Sequence, residues 1–414
     1  MLHNALWVVS FFSLWFIILW LQVLYLERPK KENRKKIRLP SITIGVPAYN
    51  EEKTIEKTVD SIVKADYPKE KVEIIIVNDG SKDNTVSVVK QIIQKYPSYD
   101  IKLVNKKNGG KASANNTALR KAKGELFAVV DADSRIEKNC IKLLVRHFEN
   151  EKVGAAISRI KVDKPKTLLE RMQRFEYIMS NMIRKLMSNI GTLALTPGVL
   201  SMYRTELVRK LGGFDANREN LTEDLEIAMR LKYHNYMVVM DTDSITHTVV
   251  PKKMHSLWRQ RIRWSRGFIY NHWKYRDMFF SKKHSIFGLF QMPADAVVVL
   301  LLLLNVGIVS YSLLNDTIEF AIRTATIDGY LTRSLEIPSI KEILLSQNLR
   351  IVFPVMAVSL LGIFFIYITH KAFRENISKN IVPVLSYFIF LPYFTTLNWF
   401  SCIAQEVLRT KKKW

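Results

Sequence analysis

The chain has 414 residues, 48% of them apolar, with 62 Lys and Arg against 38 Asp and Glu, for a formal net charge of +24. That length is too great for one core of ordinary size, and the uneven spread of apolar residues calls for a soluble domain joined to a membrane part. The positive excess sits beside the apolar runs, which assigns it to anionic lipid headgroups and argues against nucleic acid as a partner. Two distant cysteines, Cys140 and Cys402, exclude a disulfide framework or a zinc site and fit a reducing compartment.

Residues 5–26 are uncharged before the interface and long enough to cross a hydrocarbon core of roughly 30 Å. They read as a retained anchor, not a cleaved signal peptide. Arg28 to Arg38 then holds seven Lys or Arg against one Glu, so the positive-inside rule places the chain from residue 28 in the cytoplasm, with the N-terminus outside. From 41 to about 245, β-rich runs alternate with helical stretches, the pattern of an open parallel sheet wrapped by helices. The runs 41–49, 72–79, 101–105 and 125–133 are the first four predicted strands, with helices near 52–64, 84–95 and 111–122 between them. Ligands of such sheets gather at the carboxyl ends of strands. There stand Asn50 and Glu51, Asn78 and Asp79, and Asp131 and Asp133.

Residues 168–187 carry an apolar stripe of Leu168, Met172, Phe175, Met179, Met182, Ile183 and Leu186 at helical spacing. Residues 252–283 combine ten Lys or Arg and one acid with Trp258, Trp264, Phe268 and Trp273, as helices lying flat on a membrane do. Further spans are predicted at 292–314 and 351–369, while 380–408, interrupted by Pro383 and Pro392, either spans, re-enters or lies partly in the interface. If all three cross, the basic tail emerges outside, against the positive-inside rule. The predicted organisation is an anchor at 1–27, an α/β domain at 28–245, interfacial helices at 246–290 and a transmembrane region at 291–414.

Asp131-Ala132-Asp133 ends an apolar strand with two carboxylates on one side of the backbone, a donor set for Mg²⁺ or Mn²⁺. Asp79 stands at the tip of another strand, ahead of Asp83 and Asn84, which suit N-cap chemistry. Asn108-Gly109-Gly110-Lys111 opens a helix with amide groups and an ammonium suited to phosphate, or forms a plain turn. Thr222-Glu223-Asp224 starts another helix, where Thr222 is a candidate N-cap and the dipole favours an ionised Asp224 as general base. In the basic helix, Arg261 and Arg263 can grip a diphosphate and Trp264 can stack on a sugar, with lipid headgroup contact as the alternative. Together these groups suit sugar transfer from a nucleotide diphosphate.

In this order, Pro47-Ala48-Tyr49-Asn50-Glu51, Asp79, Gly110-Lys111, Asp131-Ala132-Asp133, Thr222-Glu223-Asp224 and Gln260-Arg261-Ile262-Arg263-Trp264 resemble the processive family 2 glycosyltransferases, such as poly-N-acetylglucosamine, hyaluronan, chitin-oligosaccharide and cellulose synthases. The resemblance covers 41–267 and implies a GT-A, Rossmann-like α/β fold, a UDP-sugar donor and inversion at the anomeric carbon. It implies that Pro47, Tyr49, Glu51 and Asp79 form the uridine side, that Lys111 meets the diphosphate, and that Asp131 and Asp133 hold the metal. Asp224 would be the base with Glu223 beside it, Gln260, Arg263 and Trp264 would close over donor and acceptor, and Gly198 in Thr196-Pro197-Gly198-Val199 would cradle the acceptor. It further implies a multi-pass plasma-membrane enzyme with a cytoplasmic catalytic domain, a growing polysaccharide as acceptor, and room for an accessory membrane subunit. Trp414, after Lys411, Lys412 and Lys413, is either the start of the family's gating segment or simply a terminal residue. The spelling of the motifs points first to UDP-N-acetylglucosamine and then to UDP-glucose. The rival expectation is a single addition to a polyprenyl phosphate or lipid-linked glycan.

Overall fold

The computed structural model describes residues 2–27, 38–334, 349–377 and 381–410. Most of the basic run from Arg28, and Lys411 to Trp414, therefore lie outside the described residues. Helix α1 (Leu2–Tyr25) precedes β1 (Ile42–Ala48), α2 (Ile55–Val63), β2 (Val72–Asn78), α3 (Thr85–Lys95), β3 (Asp100–Asn105), α4 (Lys111–Lys121), β4 (Leu126–Val129), β5 (Arg135–Ile136), α5 (Cys140–Val145) and β6 (Val153–Val162). Then come α6 (Leu168–Asn189), β7 (Ser201–Arg204), α7 (Thr205–Lys210), α8 (Glu223–Tyr233), β8 (Met237–Thr248), α9 (Met254–Lys274), α10 (Met292–Thr326), the short α11 (Tyr330–Ser334), α12 (Leu349–Ala372) and α13 (Ile381–Val407).

The strands form one eight-stranded sheet in the order β3-β2-β1-β4-β7-β6-β8-β5. β1 pairs in parallel with β2 and β4, and β2 with β3, as expected. The expectation of a parallel sheet throughout is corrected in its second half, where β7 runs antiparallel to both β4 and β6 and β5 antiparallel to β8. The central strands are buried on both faces, which is why β2 reads as the nearly unbroken apolar run Val-Glu-Ile-Ile-Ile-Val-Asn. Core residues such as Ile44, Ile74 and Leu144 fill one face of the sheet, and Val77, Phe127, Tyr203 and Ile227 fill the other.

Helix α6 begins with a capping box, Thr167 and Glu170 each bonding the other's backbone amide. Its apolar side, Ile178, Met182 and Leu186, packs with Trp20 and Leu21 of α1 and Phe365 of α12. Leu168, the first residue of the apolar stripe and the first position after the cap, is 48% exposed.

Among the described residues, four helices are long and apolar enough to cross a membrane, at Leu6–Tyr25, Phe287–Thr326, Val352–Ala372 and Ile381–Val407. The last of these, α13, runs alongside α6 and α9. Tyr387 contacts Phe175, Phe394 contacts Trp258, Asn398 donates to the Trp258 carbonyl at 3.2 Å, and Glu406 accepts from Arg266 at 2.5 Å. The pairing advances in the same direction along α9 and α13, so the two helices lie side by side in parallel. The outer side of α13 exposes Leu385, Phe388, Ile389, Leu397 and Phe400.

Candidate active site

Three segments bring the site together. β4 delivers Asp131 and Asp133 just past its end, and the 196–199 loop is stitched to them, since Asp131 N–H donates to the Gly198 carbonyl at 2.9 Å. The same loop is tied to the start of α8, where the Thr196 hydroxyl donates to the Asp224 carbonyl at 2.6 Å. Gly198 leaves room for the Lys111–Asp131 ion pair. A Cβ on it would fall 2.7 and 2.9 Å from the two carboxylate oxygens of Asp131.

Helix α9 docks on the start of α8. Asn271 donates to the Thr222 hydroxyl at 3.0 Å, and Lys274 and Tyr275 reach the buried Glu226 at 2.8 and 2.7 Å. Thr222 stands at the N-cap position of α8 without a side-chain capping bond, so its hydroxyl serves the helix-helix contact instead. This docking turns Gln260, Arg263 and Trp264 toward the acids. A cavity of about 520 Å³ is lined by Lys111, Asp131, Asp133, Gly198, Glu223, Asp224, Gln260, Arg263 and Trp264, all residues singled out from the sequence. A wider cleft of about 960 Å³ beside α2 and β5 lies apart from these motifs.

The electrostatics divide the acids. Glu223 is buried, with Oε2 unpartnered among the described residues and Lys111 at 3.7 Å from Oε1. Burial raises its carboxyl above the usual value, opposed by Lys111 and helped by Asp224. Asp224 is partly exposed to the cavity, and one of its oxygens accepts from the Leu225 amide at 2.9 Å. Burial, with Asp131 and Glu51 nearby, pushes Asp133 up to about 6. Burial opposes the charge of Lys111, yet Asp131, Glu223 and Asp224 outweigh it and hold the ammonium above the ordinary lysine value, with Asp131 as direct ion-pair partner.

Asp131 and Asp133 are the residues that could hold a divalent cation. The crowding that raises Asp133 is what a cation would relieve. Among the described residues no group of three or more His, Cys, Asp or Glu forms a cage, so a cation here would take its remaining ligands from phosphate and water, as Mg²⁺ and Mn²⁺ do.

Pro47, Tyr49, Glu51 and Asp79 stand at the ends of β1 and β2 and are not among the residues lining this cavity; Glu51 is linked to it through its charge on Asp131 and Asp133. Tyr49 is 45% exposed. Glu51 is raised by burial, countered by the Thr54 hydroxyl, and feels Asp131. Asp79 accepts from Lys106 at 2.5 Å and from the Gly109 and Gly110 amides at 3.0 and 2.7 Å, so it shapes the loop before Lys111. Asp83 performs the expected capping of α3 through the Thr85 amide at 3.0 Å, while Asn84 makes no such bond. Arg261 is spent elsewhere, donating to Glu176 at 2.7 Å and stacking on Trp264 at 4.4 Å.

Sequence reasoning missed Tyr177, Ser180 and Arg184 of α6, which also line the cavity. The apolar period of α6 drew attention to its other face.

Residues 40–267 match the family model described as glycosyltransferase like family 2. The probable glycosyltransferase YdaM of Bacillus subtilis (strain 168) is 34% identical over 309 residues, covering 69% of this chain and 72% of that protein. The poly-β-1,6-N-acetyl-D-glucosamine synthase of Staphylococcus epidermidis is 28% identical over 233 residues, 56% of this chain and 55% of the synthase. Its counterpart in Staphylococcus aureus (strain COL) is 27% identical over 274 residues, 66% of this chain and 65% of the synthase. The chain thus spans between half and two thirds of the length of these synthases. Among solved structures, the mannosyltransferase PcManGT from Pyrobaculum calidifontis in complex with GDP-Man and Mn²⁺ shares the fold, with a TM-score of 0.58 at 22% identity over 87% of this chain and 98% of that one. The chain belongs to the family 2 glycosyltransferases and carries their GT-A-like α/β domain together with long apolar helices.

Proposed function

We propose that this chain is a membrane-embedded, inverting, processive glycosyltransferase that builds a β-linked polysaccharide from a UDP-sugar and passes it through its own apolar helices. The observation that carries this proposal is the shared cavity, where Asp131, Asp133, Asp224, Arg263 and Trp264 meet. UDP-N-acetylglucosamine is the first candidate donor, because relatives at 27–28% identity are named poly-N-acetylglucosamine synthases.

In this proposal the uridine lies by Tyr49, Glu51 and Asp79, and Gln260, Arg263 and Lys111 orient the diphosphate once Lys111 exchanges Asp131 for phosphate oxygen. Mg²⁺ or Mn²⁺ held by Asp131 and Asp133 supplies Lewis-acid stabilisation of the departing diphosphate. Asp224 takes the proton of the acceptor hydroxyl as its oxygen bonds to the anomeric carbon, and the sugar–phosphate bond breaks with its electron pair leaving on UDP. Glu223 is the poorer base, since it is buried against Lys111. Trp264, held flat by Arg261, offers a stacking face to the acceptor sugar.

The catalytic domain is assigned to the cytoplasmic side of the plasma membrane on the basic run after α1. With α13 lying along α9 as an interfacial helix, α1, α10 and α12 make three crossings, and the basic tail stays in the cytoplasm. A second reading, single addition to a lipid phosphate, draws on the apolar part of the cavity wall, which includes Ile183, Met187, Leu195 and Phe287. The test is to give purified protein in nanodiscs a panel of UDP-sugars with Mg²⁺ or Mn²⁺ and to size the product. Metal-dependent UDP release with one donor and a ladder of long glycan supports the polymerase. A product that grows by one sugar only supports the second reading.

A further inference from the structure

Helix α6 shows two different sides. Ile178, Met182 and Leu186 pack against α1 and α12, whereas Tyr177, Ser180 and Arg184 line the cavity that holds Asp224. Steps of three and four residues place those three polar groups on one stripe. From Tyr177 to Arg184 the helix rises about 10 Å, so the stripe is longer than a single hydrogen-bonding point.

Arg184 is the unusual member. Its Nη1 is sealed from solvent and has no hydrogen-bond partner among the described residues. The nearest acid on its own helix, Glu176, is bound by Arg261. Burial pulls the guanidinium below its ordinary value, while Tyr177, Asp224 and Glu176 act in the opposite direction. A buried N–H left unmade is costly, which points to an oxygen brought in from outside the chain. Arg184 feels Asp224, and Tyr177 on the same stripe feels Asp133, so the stripe runs along the cavity from the base toward the metal-site carboxylates.

The chemistry of the surroundings selects the ligand. A phosphate beside Arg184 would have to share Lys111 and Arg263 with the donor diphosphate, Arg261 is already paired with Glu176, and the carboxylates of Glu176 and Asp224 oppose further negative charge. A neutral chain bearing hydroxyl and amide oxygens meets neither obstacle, and it matches two hydroxyls and a guanidinium set along one line.

We propose that Tyr177, Ser180 and Arg184 form a subsite for the acceptor end of the growing glycan, with Arg184 donating to a hydroxyl or N-acetyl carbonyl oxygen of an acceptor sugar. This rests on the polysaccharide reading above. Arg184 acts here as a positioning residue: it places the acceptor hydroxyl against Asp224 and takes no part in the proton transfer.

The test uses the full chain in nanodiscs, with UDP affinity measured by titration and transfer measured to a short β-linked N-acetylglucosamine oligosaccharide over a range of concentrations. Arg184→Gln is expected to raise KM for the oligosaccharide about ten-fold or more, because one charged hydrogen bond is lost, with UDP affinity within about two-fold of wild type. Arg184→Lys should recover part of the loss, and Tyr177→Phe should give a smaller rise in the same KM. An unchanged KM for the oligosaccharide, or a loss of UDP affinity in proportion to the loss of transfer, overturns the subsite. If polyprenyl phosphate serves as acceptor and Arg184→Gln weakens its use instead, the site is one for lipid phosphate and the saccharide assignment is wrong. If wild-type protein adds a single sugar to the oligosaccharide, the polymerase reading fails, while Arg184 is still judged by that oligosaccharide's KM.

Discussion

Gly267 and Thr222 are in contact so close that a Cβ on the glycine would lie 2.5 Å from Cγ2 and 2.8 Å from Cβ of the threonine. That contact lets α9 lie directly on the first turn of α8, and it sets Arg263 and Trp264 beside Asp224. Gly267→Ala should therefore push the two helices apart. Turnover is expected to fall roughly ten-fold or more, as small displacements of reacting groups do, with a modest loss of thermal stability. Adding Thr222→Ala, which removes Oγ1 and Cγ2, should restore part of the turnover. Wild-type turnover in the single variant would mean that the contact does not control the site.

Asp133 gives a test of the metal assignment. Titrated with UDP in Mn²⁺, Asp133→Ala should bind about ten-fold more weakly or worse than wild type, because a carboxylate ligand is lost. In excess EDTA the two proteins should bind UDP alike. Equal affinities in Mn²⁺ would remove Asp133 from the metal site.

Much of this site was legible because local signals and global placement agree. Expected helices at 84–95 and 111–122 became Thr85–Lys95, with an apolar period through Val89 and Ile92, and Lys111–Lys121, which opens directly after the Gly109-Gly110 turn. The acids at strand tips followed from strand ends alone. The antiparallel β7 was not legible. Its four residues carry no period, and its direction is set by pairing with Leu126–Val129 and Ala155–Ile157 far away in the chain. Arg184 was hidden for a different reason: an apolar stripe on α6 says nothing about which polar residue on the opposite side will be sealed into a cavity. Hydropathy likewise does not separate an α13 that crosses from one that lies in the interface along α9, since both need an apolar side.

Lys232 predicts a pH dependence of stability. It is buried in α8, its ammonium donates to the Gly191 carbonyl at 2.7 Å, and burial pulls its value down to about 8. Its folded value lies below the unfolded one, so between pH 8 and 10.5 the unfolded chain binds more protons and stability rises with pH. Below about pH 8 the full penalty of the buried charge remains. Lys232→Met should raise the melting temperature at pH 7, by an amount corresponding to about 1–3 kcal/mol, and flatten this rise. A wild-type melting temperature that falls steadily from pH 8 to 10, with no difference in the variant, would refute the assignment.

The interfacial placement proposed for α13 predicts the side on which the basic tail lies. A single cysteine introduced at Thr410, in a Cys140→Ser, Cys402→Ser background, should be labelled by a membrane-impermeant maleimide only in inside-out vesicles. Labelling from the outside of intact cells would make α13 a crossing helix. Arg266→Ala, which removes the bond to Glu406 at 2.5 Å, should loosen α13 from α9 and increase proteolysis near residue 405 by roughly two-fold or more.

The most direct test is a paired measurement on Asp224→Asn, taking UDP affinity and steady-state turnover on the same purified sample. A base lost from an otherwise intact cavity should leave UDP affinity within about two-fold of wild type while turnover falls by about 10² or more. Turnover close to wild type would contradict the account, because the proton would then be leaving the acceptor by a route that does not pass through Asp224.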